Sequence, residues 1–445
     1  MDMTQTKPTG LAAMTTSIDA GDARAIEAAI DSEELTALVL ELCNIPAPVG
    51  HEARVGQFVY DWLRKEGFTP RKVGMVENRF NVIGRYGGRG DGPNVLFTAH
   101  LDTQSPLYDD TDRYVFKAET VADPQWLTAW LENGTFRGYA VTNDRGPLAC
   151  TLIAAKALKK AGYDLSGTLY LTACPGEIGP EPAEECQGVN FLGKEIGALY
   201  MLTHGGIAPD YVITAEGTDF GVNWVGCGYA YYRITLTGEQ VFTPLLEHPR
   251  NSSEHPNPIV RMTGLIEALQ RWAGDYDRRF RYESAGGTAL PRVQIGAIRG
   301  GNALNMGAGT EVCSLYVEVI LTPAQTIGGV DRELKAALRE AGFDRNLSVE
   351  PYVVRHGFEA DATAVAPIHQ ALNRAHQLTR GEPIAIAAPV YSSMWRDHNV
   401  FNMNRIPAAV MGPGRWQPTP AEFASCAKIY ALAALALCGK ACEPV

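Results

Sequence analysis

A short apolar run that ends in His-Leu-Asp limits the folds open to this chain. Residues 94–104 read Asn-Val-Leu-Phe-Thr-Ala-His-Leu-Asp-Thr-Gln, and the apolar and β-branched side chains at 95–99 predict a buried strand. Because side chains alternate along a strand, His100 and Asp102 leave its carboxyl end on the same side. Open α/β sheets bind ligands at that end. A lone His-x-Asp is more often a buried histidine bonded to its neighbour, so the other strand ends decide between the two interpretations.

Two more predicted strands end in carboxylates. One is followed by Cys-Pro-Gly-Glu, which ends at Glu177, and a later one is followed directly by Glu216. Acidic residues in such places are often solvated, but three strand ends in order favour a divalent metal site, because imidazole and carboxylate groups are common ligands. A fourth polar pair, Asn143 and Asp144, opens a predicted helix, where either residue could instead be an N-cap.

Length, charge and cysteine usage exclude several classes of protein. A chain of 445 residues is too long for one core and suits two domains. A formal charge of -11 argues against nucleic acid or an anionic membrane as the main partner. Nine cysteines without a Cys-x-x-Cys pair indicate reduced thiols and a cytoplasmic location. No secretory signal is visible in the first 19 residues, and no uninterrupted apolar run is long enough to span a bilayer.

The second half of the chain carries further motifs. Between 228 and 354 the pattern predicts strand, helix, strand, strand, helix, strand, which is the order of a ferredoxin-like unit. Ile-Arg-Gly-Gly-Asn-Ala-Leu-Asn occupies 298–305, and Asp-His-Asn-Val-Phe at 397–401 is followed by Gly-Pro-Gly at 412–414. Together with the strand-end residues, these motifs resemble those of a family of metal-dependent hydrolases. That family includes acetylornithine deacetylase, succinyl-diaminopimelate desuccinylase, aminoacylase, carboxypeptidase G and peptidase T.

The resemblance implies a fold and a domain arrangement. The expected class is α/β, with a phosphorylase/hydrolase-like catalytic domain whose central mixed sheet is flanked by helices. A ferredoxin-like (βαββαβ) lid or dimerisation domain is inserted into it, which implies a homodimer or higher homo-oligomer. The boundaries that follow are 20–227 and 355–445 for the two parts of the catalytic domain and 228–354 for the insertion.

Carried over position by position, the resemblance keeps part of the family's site. His100 takes the place of the first metal-binding histidine, and Asp102 that of the acid that orients it. Glu177 and Glu216 match carboxylate ligands. Asn143 falls on the position of the bridging aspartate, with Asp144 beside it.

Three other positions depart from the family's pattern. Gly176 stands where the general-base glutamate is expected, Pro418 replaces the second metal-binding histidine, and Phe242 replaces the histidine that stabilises the oxyanion. A neutral asparagine at 143 cannot bridge two dications as a carboxylate does. We therefore expect one divalent ion per chain, held by His100, Asn143, Glu216 and Asp144. One imidazole with oxygen ligands favours Mn²⁺, with Zn²⁺ or Co²⁺ as alternatives.

These departures bear on the reaction. Without the usual base and oxyanion donor, amide hydrolysis by the family's route is disfavoured. The expected reaction is another hydrolytic C–N cleavage on a small carboxylate-bearing molecule, namely deamination of an aromatic amine of the 5-nitroanthranilate type. The catalytic candidates are Asp102, Glu177 and His398. The candidates for binding the substrate are Arg299, Asn302, Asn305, Arg396, Asp397 and Arg415.

Two alternatives stay open. Pro-Ala-Glu-Glu at 182–185 also resembles the family's glutamate pair, so a two-metal N-acyl amino acid deacylase or dipeptidase that uses Glu184 and Glu185 is the first. A non-catalytic descendant that binds a small molecule is the second.

Overall fold

A computed structural model of the chain describes residues 16–106, 115–179, 181–183 and 192–441. Its strands are, in chain order, β1 (Arg71–Val76), β2 (Arg79–Gly87), β3 (Val95–His100), β4 (Trp130–Glu132), β5 (Thr135–Arg137), β6 (Thr168–Cys174), β7 (Tyr211–Ala215), β8 (Val222–Asn223), β9 (Val225–Gly226), β10 (Gly228–Thr237), β11 (Tyr282–Ser284), β12 (Gly287–Ala289), β13 (Val293–Gly300), β14 (Val312–Leu321), β15 (Leu347–Arg355), β16 (Phe358–Glu359) and β17 (Ala408–Met411). Its α-helices are Ala20–Ala29, Ser32–Cys43, Ala53–Lys65, Ala118–Val121, Gly146–Lys160, Tyr200–His204, Pro258–Arg279, Ile327–Glu340, Ala362–Arg380, Pro389–Ser392, His398–Met403 and Pro420–Cys438.

A mixed seven-stranded sheet forms the centre of the larger domain. Its strand order is β1-β2-β6-β3-β7-β17-β8. The four middle strands are parallel, while β2 runs antiparallel to β6 and β8 antiparallel to β17. Each residue of β3 and β7 is buried, as expected of strands covered on both faces. The carboxyl ends of β3, β6 and β7 therefore meet at one edge of the sheet.

Helices from both ends of the chain cover this sheet. Pro420–Cys438 packs against Gly146–Lys160 and Ala362–Arg380 and contributes a continuous set of buried side chains to the main core. This helix is long and apolar enough, by length and composition alone, to cross a membrane. Here it is enclosed by other helices, and burial in the core accounts for its apolar composition.

A second, smaller sheet carries its own core. Its order is β13-β14-β10-β15, and all its neighbours are antiparallel. Helices Pro258–Arg279 and Ile327–Glu340 pack on the same sheet and enclose Tyr232, Leu265 and Leu334. The order β10, helix, β13, β14, helix, β15 is the predicted ferredoxin-like one. The α/β fold with an inserted domain is confirmed, while the boundaries at 227/228 and 354/355 stay a prediction.

The segment 103–138, which the sequence presents as one long aromatic loop, contains regular structure where it is described. It holds the helix Ala118–Val121 and the hairpin of β4 and β5. Trp126 lies against Tyr139 with ring centroids 4.4 Å apart. The alternative glutamate pair, Glu184 and Glu185, lies outside the described residues.

Candidate metal centre

The sheet brings three predicted site residues to one place. In the parallel register of β3 and β6, His100 pairs with Cys174. Glu177 follows Cys174 by only three residues and therefore lies close to His100. Glu216 directly follows the last residue of β7, the other neighbour of β3. Parallel pairing therefore brings the carboxyl ends of β3, β6 and β7 together in one cluster.

The ring of His100 is held by a backbone carbonyl. Its Nδ1 lies 2.8 Å from the carbonyl oxygen of Asp102, which can only accept, so Nδ1 carries the proton. In the neutral ring Nε2 is then left with a lone pair, as a metal ligand requires. The sequence interpretation gave this orienting role to the carboxylate of Asp102. That carboxylate also lies close to the ring, with Oδ1 3.6 Å from Nδ1, and its orienting role stays a prediction.

The Asp102 carboxylate instead fixes the loop after β6. It accepts the backbone N–H of Glu177 at 3.2 Å and that of Ile178 at 2.8 Å. Burial raises the pKa of Asp102, but the neighbouring His100 ring and the Ile178 N–H lower it below its usual value. Asp102 therefore couples the position of His100 to that of Glu177.

Three side-chain oxygens surround Nε2 of His100. Oδ1 of Asn143 is 3.2 Å away, Oδ2 of Asp144 is 3.3 Å away and Oε2 of Glu177 is 3.9 Å away. Ligands bound at about 2.1 Å to one first-row ion are roughly 3 to 3.5 Å apart, so the distances to Asn143 and Asp144 fit a single divalent ion. Neither oxygen of Asp144 has a hydrogen-bond partner among the described residues, although both are buried.

The N-cap interpretation of Asn143 and Asp144 was wrong. The helix begins at Gly146, its N-cap is Arg145, and no side-chain cap bond is present. Asn143 and Asp144 have non-helical backbone angles, which turn both side chains towards His100. An asparagine in the donor set leaves only one imidazole and carboxylates. Among the described residues, no group of three or more His, Cys, Asp or Glu side chains is spaced to hold a metal ion.

Glu216 is part of a buried ion pair. Nε of Arg396 lies 2.7 Å from Oε2 of Glu216, and both side chains are almost fully buried. Burial raises the pKa of Glu216 and Arg396 opposes that rise. Burial and the neighbouring Glu216 also raise the pKa of Asp144. Such mutual repulsion between carboxylates is relieved when a cation binds between them.

Asp397 and His398 have different surroundings although they are consecutive. Burial and the charge of Glu177 raise the pKa of Asp397 to about 8. His398 packs on the backbone of β9, where a Cβ at Gly226 would lie 2.5 Å from its Cε1. Both ring nitrogens of His398 are buried without a hydrogen-bond partner in the described part of the chain. Asp397 therefore lies within electrostatic range of Glu177.

Three candidates from the inserted domain lie on strand β13 and in the turn that follows it. The guanidinium of Arg299 lies 5.1 Å from the ring centre of Tyr316 on the small sheet. Asn302 accepts the backbone N–H of Leu304 in an exposed turn, and Asn305 lies in the same turn. Phe242 is also exposed. No contact between described residues joins these four side chains to His100, and their roles stay predictions.

Two residues near the cluster were missed from the sequence. The Nζ atom of Lys194 lies 3.7 Å from Oε1 of Glu177 and donates a close hydrogen bond to its carbonyl oxygen. Asp219 accepts the hydroxyl of Tyr391 at 2.5 Å and the backbone N–H of Arg415 at 2.8 Å. Both residues lie outside regular elements, so no periodicity or motif could have found them.

The positions that depart from the family's pattern have structural explanations. Gly176 has φ 76°, and a Cβ there would lie 2.6 Å from the carbonyl oxygen of Gly193. A side chain at 176 therefore requires a rearranged loop. Pro418 uses its carbonyl oxygen to accept the N–H of Phe136 and has no side-chain donor for a metal.

The fold and the cluster together define a two-domain hydrolase whose centre suits a divalent metal. Comparison with known proteins agrees, since the sequence profile of Peptidase family M20/M25/M40 matches residues 96–438. The chain belongs to this family and is a metal-dependent hydrolase.

Individual relatives show how far the similarity extends. A probable carboxypeptidase from Aspergillus clavatus is 35% identical over 74% of this chain and 72% of its own length. An acetylornithine deacetylase from Vibrio atlanticus is 24% identical over 63% of this chain and 64% of its own length. The YXEP protein of Bacillus subtilis, described as a dinuclear metal-binding peptidase, superposes with a TM-score of 0.56 at 15% identity, covering 91% and 98% of the two chains. The last likeness concerns the fold alone.

Proposed function

We propose that this chain is a one-metal hydrolase that uses water to cleave a C–N bond in a small carboxylate-bearing substrate. The donor set at His100 is the observation that carries the proposal. One imidazole, one amide and carboxylates converge there, while glycine at 176 and proline at 418 remove the family's usual base and second histidine.

The residues that would hold the ion are His100, Asn143, Asp144 and Glu216. The oxygen-rich set favours Mn²⁺ over softer ions. A divalent ion bound there lowers the pKa of water and so supplies a nucleophile at neutral pH. Arg396 holds Glu216 in place through the 2.7 Å ion pair.

Glu177 is the proposed general base. Its Oε2 is 3.9 Å from Nε2 of His100, and its Oε1 faces Lys194 at 3.7 Å. A carboxylate in this position can accept a proton from water bound at the centre. The bonds from the 177–178 backbone to Asp102 restrict movement of this loop, so the carboxylate stays beside the reacting centre.

The favoured reaction is hydrolytic deamination of an aromatic amine, of the 5-nitroanthranilate to 5-nitrosalicylate type. Water adds to the carbon that bears the amine, the C–N bond breaks, and ammonia leaves. Glu177 accepts one proton of the water and returns it to the departing nitrogen. A nitro-substituted ring holds the added negative charge itself, so an oxyanion donor at 242 is not needed.

Amide hydrolysis is the second candidate. The names of the Aspergillus and Vibrio relatives, a probable carboxypeptidase and an acetylornithine deacetylase, favour it. In this chain it would use Glu184 and Glu185 as the glutamate pair, because position 176 carries no carboxylate.

A substrate panel separates the two reactions. The full chain loaded with Mn²⁺ is incubated with 5-nitroanthranilate, with N-acetyl amino acids and with short peptides that have a free carboxyl terminus. We expect ammonia and 5-nitrosalicylate from the first compound, and loss of this activity in Glu177→Gln but not in the exposed control Glu254→Gln. Turnover of acyl amino acids or peptides alone would overturn the deamination proposal.

Assembly and location are proposed on separate grounds. Strand β13 forms an edge of the small sheet and is largely exposed along its outer half. An exposed edge strand can pair with a second copy, which supports a homo-oligomer formed through the inserted domain. The seven described cysteines are free and buried, which supports a reducing compartment such as the cytoplasm.

A further inference from the structure

Two guanidinium groups lie on the side of the metal centre formed by Glu216. Arg396 is almost fully buried, and Arg415 is half-buried on the Gly412–Trp416 segment. Both act electrostatically on Asp144 and on Glu216, which places both near the centre. Neither is fully occupied by partners, because the Nη1 atom of each is buried without a hydrogen-bond partner among the described residues.

Arg396 is fixed on its other sides. Its Nε faces Glu216 at 2.7 Å, its Nη2 lies 3.5 Å from the carbonyl oxygen of Gly217, and its guanidinium lies 5.6 Å from the ring centre of Tyr391. A buried donor left without a partner costs about 1 to 3 kcal/mol, so native proteins seldom retain one unless a ligand or water satisfies it.

Arg415 is positioned by its backbone. Its N–H donates to Asp219 at 2.8 Å, and the same carboxylate accepts the hydroxyl of Tyr391 at 2.5 Å. The residue lies beside the chain just after Glu216, since a Cβ at Gly217 would be 3.3 Å from Cα of Arg415. Asp219 therefore holds Arg415 and Tyr391, the aromatic neighbour of Arg396, in a fixed relation.

The charges and shapes of these groups indicate the class of ligand. Glu216 compensates one of the two positive charges, so a monoanion suits the pair better than a phosphate dianion. Guanidinium groups present planar N–H pairs that match the two oxygens of a carboxylate. We propose that Arg396 and Arg415 together bind the carboxylate of the substrate and so hold its reacting carbon at the His100 centre. This inference rests on the proposed function, and it selects these arginines over Arg299.

Binding measurements test the inference independently of turnover. Isothermal titration calorimetry compares 5-nitrosalicylate with 4-nitrophenol, which lacks the carboxylate, on the full chain loaded with Mn²⁺. We use Arg415→Gln because Arg396 is buried in an ion pair, and Arg332→Gln, at an exposed position of the helix Ile327–Glu340, as the control. Charge-assisted hydrogen bonds of this kind correspond to about a tenfold to hundredfold change in affinity.

We expect Arg415→Gln to weaken binding of 5-nitrosalicylate by that factor and to leave binding of 4-nitrophenol unchanged, while Arg332→Gln leaves both unchanged. Arg415→Lys, which keeps the charge without the planar fork, should give an intermediate loss. Retained preference for the carboxylate in Arg415→Gln, or its loss in Arg332→Gln, would overturn the inference. If the wild-type chain does not deaminate 5-nitroanthranilate but Arg415→Gln still removes the preference, the proposed reaction fails and the carboxylate site stands.

Discussion

The Nε atom of Arg396 lies 2.7 Å from Oε2 of Glu216, and this ion pair is buried beside the candidate metal centre. The pair joins the strand end after β7 to the segment before the helix His398–Met403. Arg396 supplies a positive charge where carboxylates are otherwise concentrated, because Asp144, Glu177 and Asp397 all interact electrostatically with Glu216.

Breaking the ion pair between Arg396 and Glu216 should lower the free energy of unfolding. Arg396→Leu leaves Glu216 buried without its partner, so we expect the free energy of unfolding to fall by about 3 to 5 kcal/mol. Urea denaturation with a chelator present measures this loss without a contribution from metal. The control is Arg278→Leu, which breaks an exposed ion pair with Asp275 and should cost less than about 1 kcal/mol. Equal losses in both variants would contradict a special role for the buried pair.

The Asp144 carboxylate should strengthen metal binding without stabilising the metal-free protein. Its buried carboxylate repels Glu216, so Asp144→Asn should leave the metal-free protein at least as stable as the wild type. The rise in melting temperature on adding Mn²⁺ should shrink, because binding to the folded state stabilises in proportion to affinity. Differential scanning calorimetry with and without metal measures both effects. An undiminished Mn²⁺ shift, equal to that of the exposed control Asp344→Asn, would exclude Asp144 as a ligand.

The pH dependence of stability should report on His398. Burial and the charge of Arg396 lower the pKa of His398 from 6.5 to about 3, so the folded state keeps this ring neutral. Below about pH 6.5 the His398 side chain takes up a proton in the unfolded chain but not in the folded chain. The contribution of His398 to stability is therefore fully present above pH 6.5 and is lost as the pH falls from there towards 3.

Denaturation midpoints between about pH 7.5 and pH 4.5 check this expectation. His398→Gln should show a shallower loss over that range, because its side chain takes up no proton in either state. The exposed control His204→Gln should follow the wild type. A wild-type slope in His398→Gln would mean that other groups govern acid unfolding.

Gly176 and Gly162 make a matched test of the loop after β6. Both have positive φ, 76° and 77°, but only at Gly176 would a Cβ meet the backbone, at 2.6 Å from the Gly193 carbonyl oxygen. Gly162→Ala should cost about 1 kcal/mol for the backbone conformation alone, and Gly176→Ala should cost more. Equal costs, measured by urea denaturation, would show that the loop accommodates a side chain and that a glutamate could be restored there.

Much of the site follows from local pattern. The apolar run before His100, the strand before Glu177 and the strand before Glu216 each read as a strand with a polar end, and parallel pairing then requires the ends to meet. The order of elements in the inserted domain follows in the same way from alternation and helical periodicity.

Other parts of the site depend on contacts between distant segments. Lys194 reaches Glu177, and Asp219 reaches Tyr391 and Arg415, through loops whose course no sequence pattern encodes. The carbonyl of Asp102, which orients His100, is a backbone group present at every residue and therefore gives no signal. The pairing of Arg396 with Glu216 likewise appears only once β7 and the segment before His398–Met403 are packed together.

Metal stoichiometry tests the central claim most directly. The full chain is loaded with excess Mn²⁺ or Zn²⁺, desalted and subjected to elemental analysis, alongside Glu177→Gln. We predict about one ion per chain in both proteins, because His100 is the one imidazole in the described centre and Asn143 cannot bridge two dications. Activity should be lost only in the variant. Two ions per wild-type chain would contradict the proposal of a one-metal centre and would favour amide hydrolysis by a two-metal centre.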